Sequence, residues 1–220
     1  MKKSNILKLT VLSILIALTL IFQAFATQFK VGTYSLPLSL VVIAVGAILY
    51  GPGAGLLLGT VWGTYIYMND GSVAVFATYS IPYTLIAVIG RGALNGLLTG
   101  LIYQLFKHLL KFKGGDTAAM FIASMLIPFI NKGIFTLCEY LMFKDLLLNK
   151  FGVENVWAGF LSLNLVITCL SSFVLSPVVV RVCIAGRHIL RLDEEKESLK
   201  DTESINEDNL AYDSVNSNNK

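Results

Sequence analysis

The chain has 220 residues, of which 55% are hydrophobic and only 14% charged. Soluble domains carry about 25% charged residues, so the composition excludes an ordinary soluble domain and points to a membrane protein. The formal net charge of +3 hides a division: residues 193–220 hold nine acidic residues against three lysines, and residues 1–192 hold fourteen basic against five acidic.

A bilayer core of about 30 Å needs about 20 helical residues. In chain order, six apolar runs meet or approach that length: Leu9–Phe29, Leu36–Tyr50, Gly53–Met68, Tyr79–Phe106, Thr117–Phe143 and Trp157–Val182. The second and third are short, and fit either two short spans or one re-entrant hairpin. The N-terminal MKKSNILK, the apolar LTVLSILIALTLIF and Ala24-Phe25-Ala26 also match a cleavable signal peptide. A retained span is preferred because the apolar stretch reads through to Phe29. Lys2, Lys3 and Lys8 precede the first run, Lys107, Lys111 and Lys113 follow the fourth, and Arg181, Arg187 and Arg191 close the sixth. With six spans all three clusters fall on one side, which places them in the cytoplasm. The expectation is an all-α integral membrane protein with six transmembrane helices and both termini cytoplasmic. Residues 1–192 form its membrane domain. Residues 193–220 are polar and acidic, and are expected to be a disordered cytoplasmic tail.

Gly51-Pro52-Gly53 reads as the turn between the second and third runs, since proline starts a helix well and glycine tolerates the tight turn before it. The stretch ILYGPGAGLLLGTVWG, residues 48–63, then places Gly51, Gly55, Gly59 and Gly63 at a spacing of four. In a soluble helix each would lose about 1 kcal/mol relative to alanine. Between lipid-immersed helices, such a stripe makes a flat groove that another backbone can approach. Gly92, Gly96 and Gly100 repeat the device on the fourth run, and Ser13 and Ala17 are a milder small-residue pair on the first. The stripes serve either packing within the bundle or docking of another protein's helix.

Polar groups at membrane depth point to a binding site. Arg91 falls near the middle of the fourth run, where an arginine costs roughly 2.5–3.5 kcal/mol on insertion scales. Asn95 and Thr99 follow it at helical spacing; the fifth run holds Asn131, Lys132, Thr136 and Glu139; the sixth offers Asn164, Thr168 and Ser171 on one face. Two cations and three asparagines suggest a pocket of positive character. Arg91 can hold a carboxylate through two parallel hydrogen bonds, and Lys132 adds a point charge. The competing reading has Arg91 bonded to carbonyls, Lys132 reaching Glu139, and the asparagines gluing helices together. Tyr34, Phe76 and Tyr79 in the outer segments serve either to stack over a ligand or, more commonly for such residues, as an interfacial aromatic belt; Trp62, deeper in the third run, is the better contact candidate, and Trp157 is most simply a belt residue.

Cys138, Cys169 and Cys183 lie far apart, and neither His108 nor His188 has a second histidine at ligand spacing, so no metal or other cofactor is expected. There is no HExxH, no pair of aspartates and no serine–histidine pairing at depth, which argues against an enzyme. Without a GxxxxGK[ST] sequence the chain cannot cradle ATP itself.

These features together resemble the substrate-binding S components of energy-coupling factor (ECF) transporters, which take up water-soluble vitamins and related micronutrients. The likeness runs from about Leu9 to Arg191 and is carried by PLSLVVIAVGAILYGPGAGLLLGTVWG, IGRGALNGLLTGLIYQL and the asparagine-bearing sixth run ending LSPVVVRV. The resemblance implies a ligand site near the outer face, built by the last three helices and the outer loops. It also implies a docking face on the first three helices for a membrane-embedded T component coupled to two cytoplasmic ATPases. The family often carries alanine-xxx-alanine on its first helix at that contact; here the matching positions are Ser13 and Ala17. Gly55 and Gly59 are expected on the same docking face. Arg91 and Lys132 favour a carboxylate-bearing vitamin, with pantothenate or a folate as examples; riboflavin, a cobalamin or another compound is the alternative. A free-standing carrier or channel is the alternative, although no inverted repeat and no chain of acids for ion coupling is visible.

Overall fold

In the computed structural model the described residues are 3–28, 38–151, 166 and 169–189, and among them all regular structure is helical. We number the helices α1 (Lys3–Gln28), α2 (Leu38–Tyr50), α3 (Pro52–Asn69), α4 (Gly71–Ala77), α5 (Ile81–Leu85), α6 (Arg91–Leu109), α7 (Gly115–Met142), α8 (Lys144–Phe151) and α9 (Cys169–Ile189). A π-helical turn, Ile86–Gly90, joins α5 to α6, so that Ile81–Leu109 is one continuous apolar helix.

Among the described residues four stretches are long and apolar enough to cross a membrane: Ile6–Ala26, Ile81–Leu109, Gly115–Met142 and Cys169–Ile189. The α2 helix is apolar but has only 13 residues, about 20 Å at 1.5 Å per residue. Its shortness has a physical counterpart in its surroundings. Ile43, Ala44 and Ala47 are 0% exposed, and Leu40, Val42, Val45 and Ile48 are also buried. A helix that is apolar on every side belongs inside protein. The α2 helix is the axis of the core, with Leu15 of α1, Leu58 and Trp62 of α3, Tyr103 of α6, Met120, Ala123 and Ile127 of α7, and Val179 and Cys183 of α9 in the same cluster.

The turn from α2 to α3 is made at Gly51, whose φ of 92° suits glycine, followed by Pro52 in the first turn of α3. From there α3 runs antiparallel to α6, and the two glycine stripes meet. A Cβ on Gly55 would sit 2.2 Å from the Gly96 carbonyl oxygen, and one on Gly59 would sit 2.0 Å from that of Gly92. At the two ends Gly63 meets the backbone of Val88 and Ile89, and Gly100 meets Pro52. The stripe therefore packs the bundle. Gly55 and Gly59, expected on a docking face, are buried against this chain's own backbone. Gly53, two residues before Gly55, is the contrast, since an added Cβ there meets nothing within 4 Å. Gly53→Ala is expected to leave thermal stability unchanged or raise it by up to about 1 kcal/mol, as measured by a melting curve in detergent.

At the end of the bundle that carries Lys107 and Arg187, a polar cluster ties three helices. The Tyr103 hydroxyl of α6 donates to Asp116 Oδ1 of α7 at 2.7 Å. Arg187 of α9 donates to both Asp116 and the Tyr103 hydroxyl, and Lys107 Nζ lies 3.7 Å from Asp116. Asp116→Asn removes the one charge that all three donors share. Because the carboxylate is 40% exposed, the expected loss is modest, about 1–2 kcal/mol, read as a lower melting temperature that high salt partly masks.

Candidate ligand site

The site forms where α3, α6 and α7 meet, beside the π-helical turn. Such turns insert a residue into the helical register and recur at functional positions; this one ends immediately before Arg91. Arg91 lies about 15 Å along the continuous helix from Ile81, at 1.5 Å per residue. Its guanidinium carbon lies over the Trp62 ring of α3, 5.3 Å from the centroid, and over the Phe135 ring of α7, 4.5 Å from the centroid. Both distances are within cation–π range. Lys132 Nζ lies 5.6 Å from the same Phe135 centroid. Phe135 thus has both intramembrane cations at its surface.

Among the described residues neither cation has an ion-pair partner. Among the described residues no acidic oxygen comes within 4.0 Å of the charged nitrogens of Arg91 or Lys132. Glu139 is within electrostatic reach of both without contacting either. The alternative in which Lys132 closes a salt bridge to Glu139 is therefore not the arrangement found. Arg91 Nε is buried and makes no hydrogen bond.

Other unpaired polar atoms accompany it. Asn95 of α6 is 0% exposed, yet both its amide nitrogen and its amide oxygen lack a partner. Asn131 Oδ1 and Thr136 Oγ1 of α7 are also buried and unpaired. Each such group costs about 1–3 kcal/mol if nothing meets it, and the great majority of buried polar groups are hydrogen-bonded. Arg91 and Asn95 are one turn apart on α6, as Asn131 and Phe135 are on α7. In antiparallel neighbours this stacks a polar layer on the layer that holds the guanidinium. The arrangement suits a ligand with an anionic end and neutral hydrogen-bonding groups.

An aromatic cluster closes one side. Phe76 of α4 packs edge-on against Phe135 at 6.3 Å and against Phe143 at 5.0 Å, and Tyr79 lies 6.1 Å from Phe143. Tyr79 is 46% exposed and reaches Arg91 only through this chain of rings, so it stands at the rim. Trp62, Arg91, Asn95, Asn131 and Lys132 are thus brought together at one junction of helices. Tyr34, Asn164 and Thr168 lie outside the described residues, as do Trp157 and the acidic tail. Ser13 and Ala17 are elsewhere, exposed on the outward side of α1.

Three contributors escape a reading of motifs. Phe135 and Phe143 look like ordinary apolar residues of a span. Gln23 accepts hydrogen bonds from the Trp62 indole and the Ser39 hydroxyl, both at 2.7 Å. The signal for Gln23 was present, since a lone amide inside an apolar run needs a partner.

Helices of spanning length around a buried, cation-bearing junction define a multi-pass membrane protein with a polar internal site. The sequence matches the family described as ECF transporter, substrate-specific component, over residues 7–183, and the chain belongs to that family. The family is a transporter's substrate-binding component and not an enzyme family. No match was found among curated proteins or among solved structures.

Proposed function

We propose that this protein is the substrate-binding subunit of an ECF-type importer, and that it captures a carboxylate-bearing water-soluble vitamin. The observation that carries the ligand class is the Arg91 guanidinium, buried against Trp62 and Phe135 with no acidic partner among the described residues. A cation in that position is stabilised when a carboxylate binds it through charge-assisted hydrogen bonds. Lys132 adds to the positive potential, and Asn95 and Asn131 hydrogen-bond the neutral part of the ligand. Asn164, Thr168 and Tyr34 complete the site in this reading, and Tyr79 guards its mouth. Pantothenate and folates are ligands of the right kind.

The topology that goes with this reading is six spans with both termini cytoplasmic, α2 and α3 counting as the short second and third. The ligand then enters from outside. A T component docks on the α1 side, where Ser13 and Ala17 leave a shallow strip, and two cytoplasmic ATPases supply the energy.

Reconstitution separates this from a free-standing carrier. Proteoliposomes holding this chain with T component and ATPases are expected to accumulate labelled vitamin only with internal or external ATP at the nucleotide-binding face. Equal uptake by the chain alone would contradict the importer reading and favour the carrier.

A further inference from the structure

The Trp62 indole is held from behind. Its Nε1–H donates to Gln23 Oε1 at 2.7 Å, and the Ser39 hydroxyl donates to the same oxygen at 2.7 Å. Gln23 is 8% exposed, Trp62 5% and Ser39 2%. One acceptor oxygen therefore joins α1, α2 and α3 in the interior. An indole has a single donor and no acceptor, so in a buried setting this bond selects the ring's orientation. That orientation is what Arg91 meets at 5.3 Å.

We propose that Gln23 is a positioning residue of the ligand site: through Trp62 it fixes the plane of the ring against which the Arg91 guanidinium rests, and so ties α1 to the anion-binding group. The chain of contacts is Ser39 and Gln23 to Trp62, and Trp62 to Arg91. Its consequence is mechanical. The same helix presents Ser13 and Ala17 on its exposed side, so a displacement of α1 withdraws the acceptor from the indole. Trp62 then loses its buried hydrogen bond, and Arg91 loses one of its two aromatic walls. The proposal rests on Arg91 as the ligand contact, but the positioning is measurable without any ligand.

The test uses the full chain in detergent micelles with labelled arginine. The Arg91 Nε–H resonance is assigned by its loss in Arg91→Lys, and in the unaltered protein ring currents from Trp62 and Phe135 are expected to move it upfield. Gln23→Met keeps the length of the side chain and removes the acceptor. It is expected to shift the Arg91 resonance downfield, whereas Gln23→Glu, which keeps an acceptor oxygen, leaves it near its original place. Ser39→Ala should move it less than Gln23→Met does. In a Trp62→Phe background, adding Gln23→Met should produce no further shift, because the pathway is already cut. Should Gln23→Met fail to fold, Gln23→Asn withdraws the amide by one methylene and is read in the same way. An Arg91 resonance that stays in place while the melting temperature falls would overturn the proposal and leave Gln23 a purely structural residue. Ligand retention in Arg91→Ala is a separate readout. If the resonance moves on Gln23→Met but Arg91→Ala still retains ligand, the Arg91 reading fails and the positioning stands; the opposite pair of results sinks the positioning alone.

Discussion

Replacing Arg91 with alanine is expected to weaken binding of a carboxylate ligand by about 2–5 kcal/mol, roughly thirtyfold to several thousandfold in Kd. The size follows from burial: the guanidinium lies over Trp62 and Phe135 with no acid among the described residues in contact, so its charge is poorly screened by water. Arg91→Lys should fall between the two, because an ammonium keeps the charge and loses the two-pronged geometry. Lys132→Ala should weaken binding less than Arg91→Ala, since Lys132 Nζ lies farther from the Phe135 ring that both share. Titration followed by Trp62 fluorescence, in a Trp157→Phe background that leaves one tryptophan, measures all three. A ligand that binds Arg91→Ala as tightly as the unaltered protein would remove the anion from the account.

Gly59→Leu is expected to be the most damaging change outside the site. The first added carbon would already stand 2.0 Å from the Gly92 carbonyl oxygen, and that atom is helix backbone with no side chain to swing aside. The two helices must separate along the whole stripe, so the loss should exceed the usual 1–3 kcal/mol of an overpacked core. Little folded protein is expected after solubilisation, seen as an aggregated peak in size-exclusion chromatography. Gly55→Leu should behave alike, for its Cβ meets the Gly96 carbonyl oxygen at 2.2 Å. A variant that melts normally but fails only in assembly with a T component would show that the stripe serves an outside partner after all.

The glycine stripes illustrate what a sequence can and cannot say. A spacing of four states that a backbone will come close, but it carries no name for the approaching backbone. The second stripe, Gly92, Gly96 and Gly100, was the available hint, because Gly55 with Gly96 and Gly59 with Gly92 is the register two antiparallel helices require. The cations were legible for a different reason: arginine and lysine inside apolar runs are expensive, so Arg91 and Lys132 announce a site. Their aromatic neighbour Phe135 was not legible, because phenylalanine is at home in any span. Gln23 was missed because one amide in a run that includes Leu18, Ile21 and Phe22 has no periodic companion. The Asp116 cluster was within reach, since Asp116 is an acid that closely follows Lys107, Lys111 and Lys113, at the end of the bundle where the basic residues gather. The span count also divides cleanly. Hydropathy found the apolar segments, but membrane-spanning length and burial within protein give α2 the same composition.

The most direct test of the central claim is native mass spectrometry of the detergent-purified protein expressed in rich medium. The account predicts a bound adduct with the mass of a carboxylate vitamin, present on the unaltered protein and absent from Arg91→Ala. A neutral adduct that survives Arg91→Ala, or a protein that carries no adduct after incubation with pantothenate and folate, would contradict it.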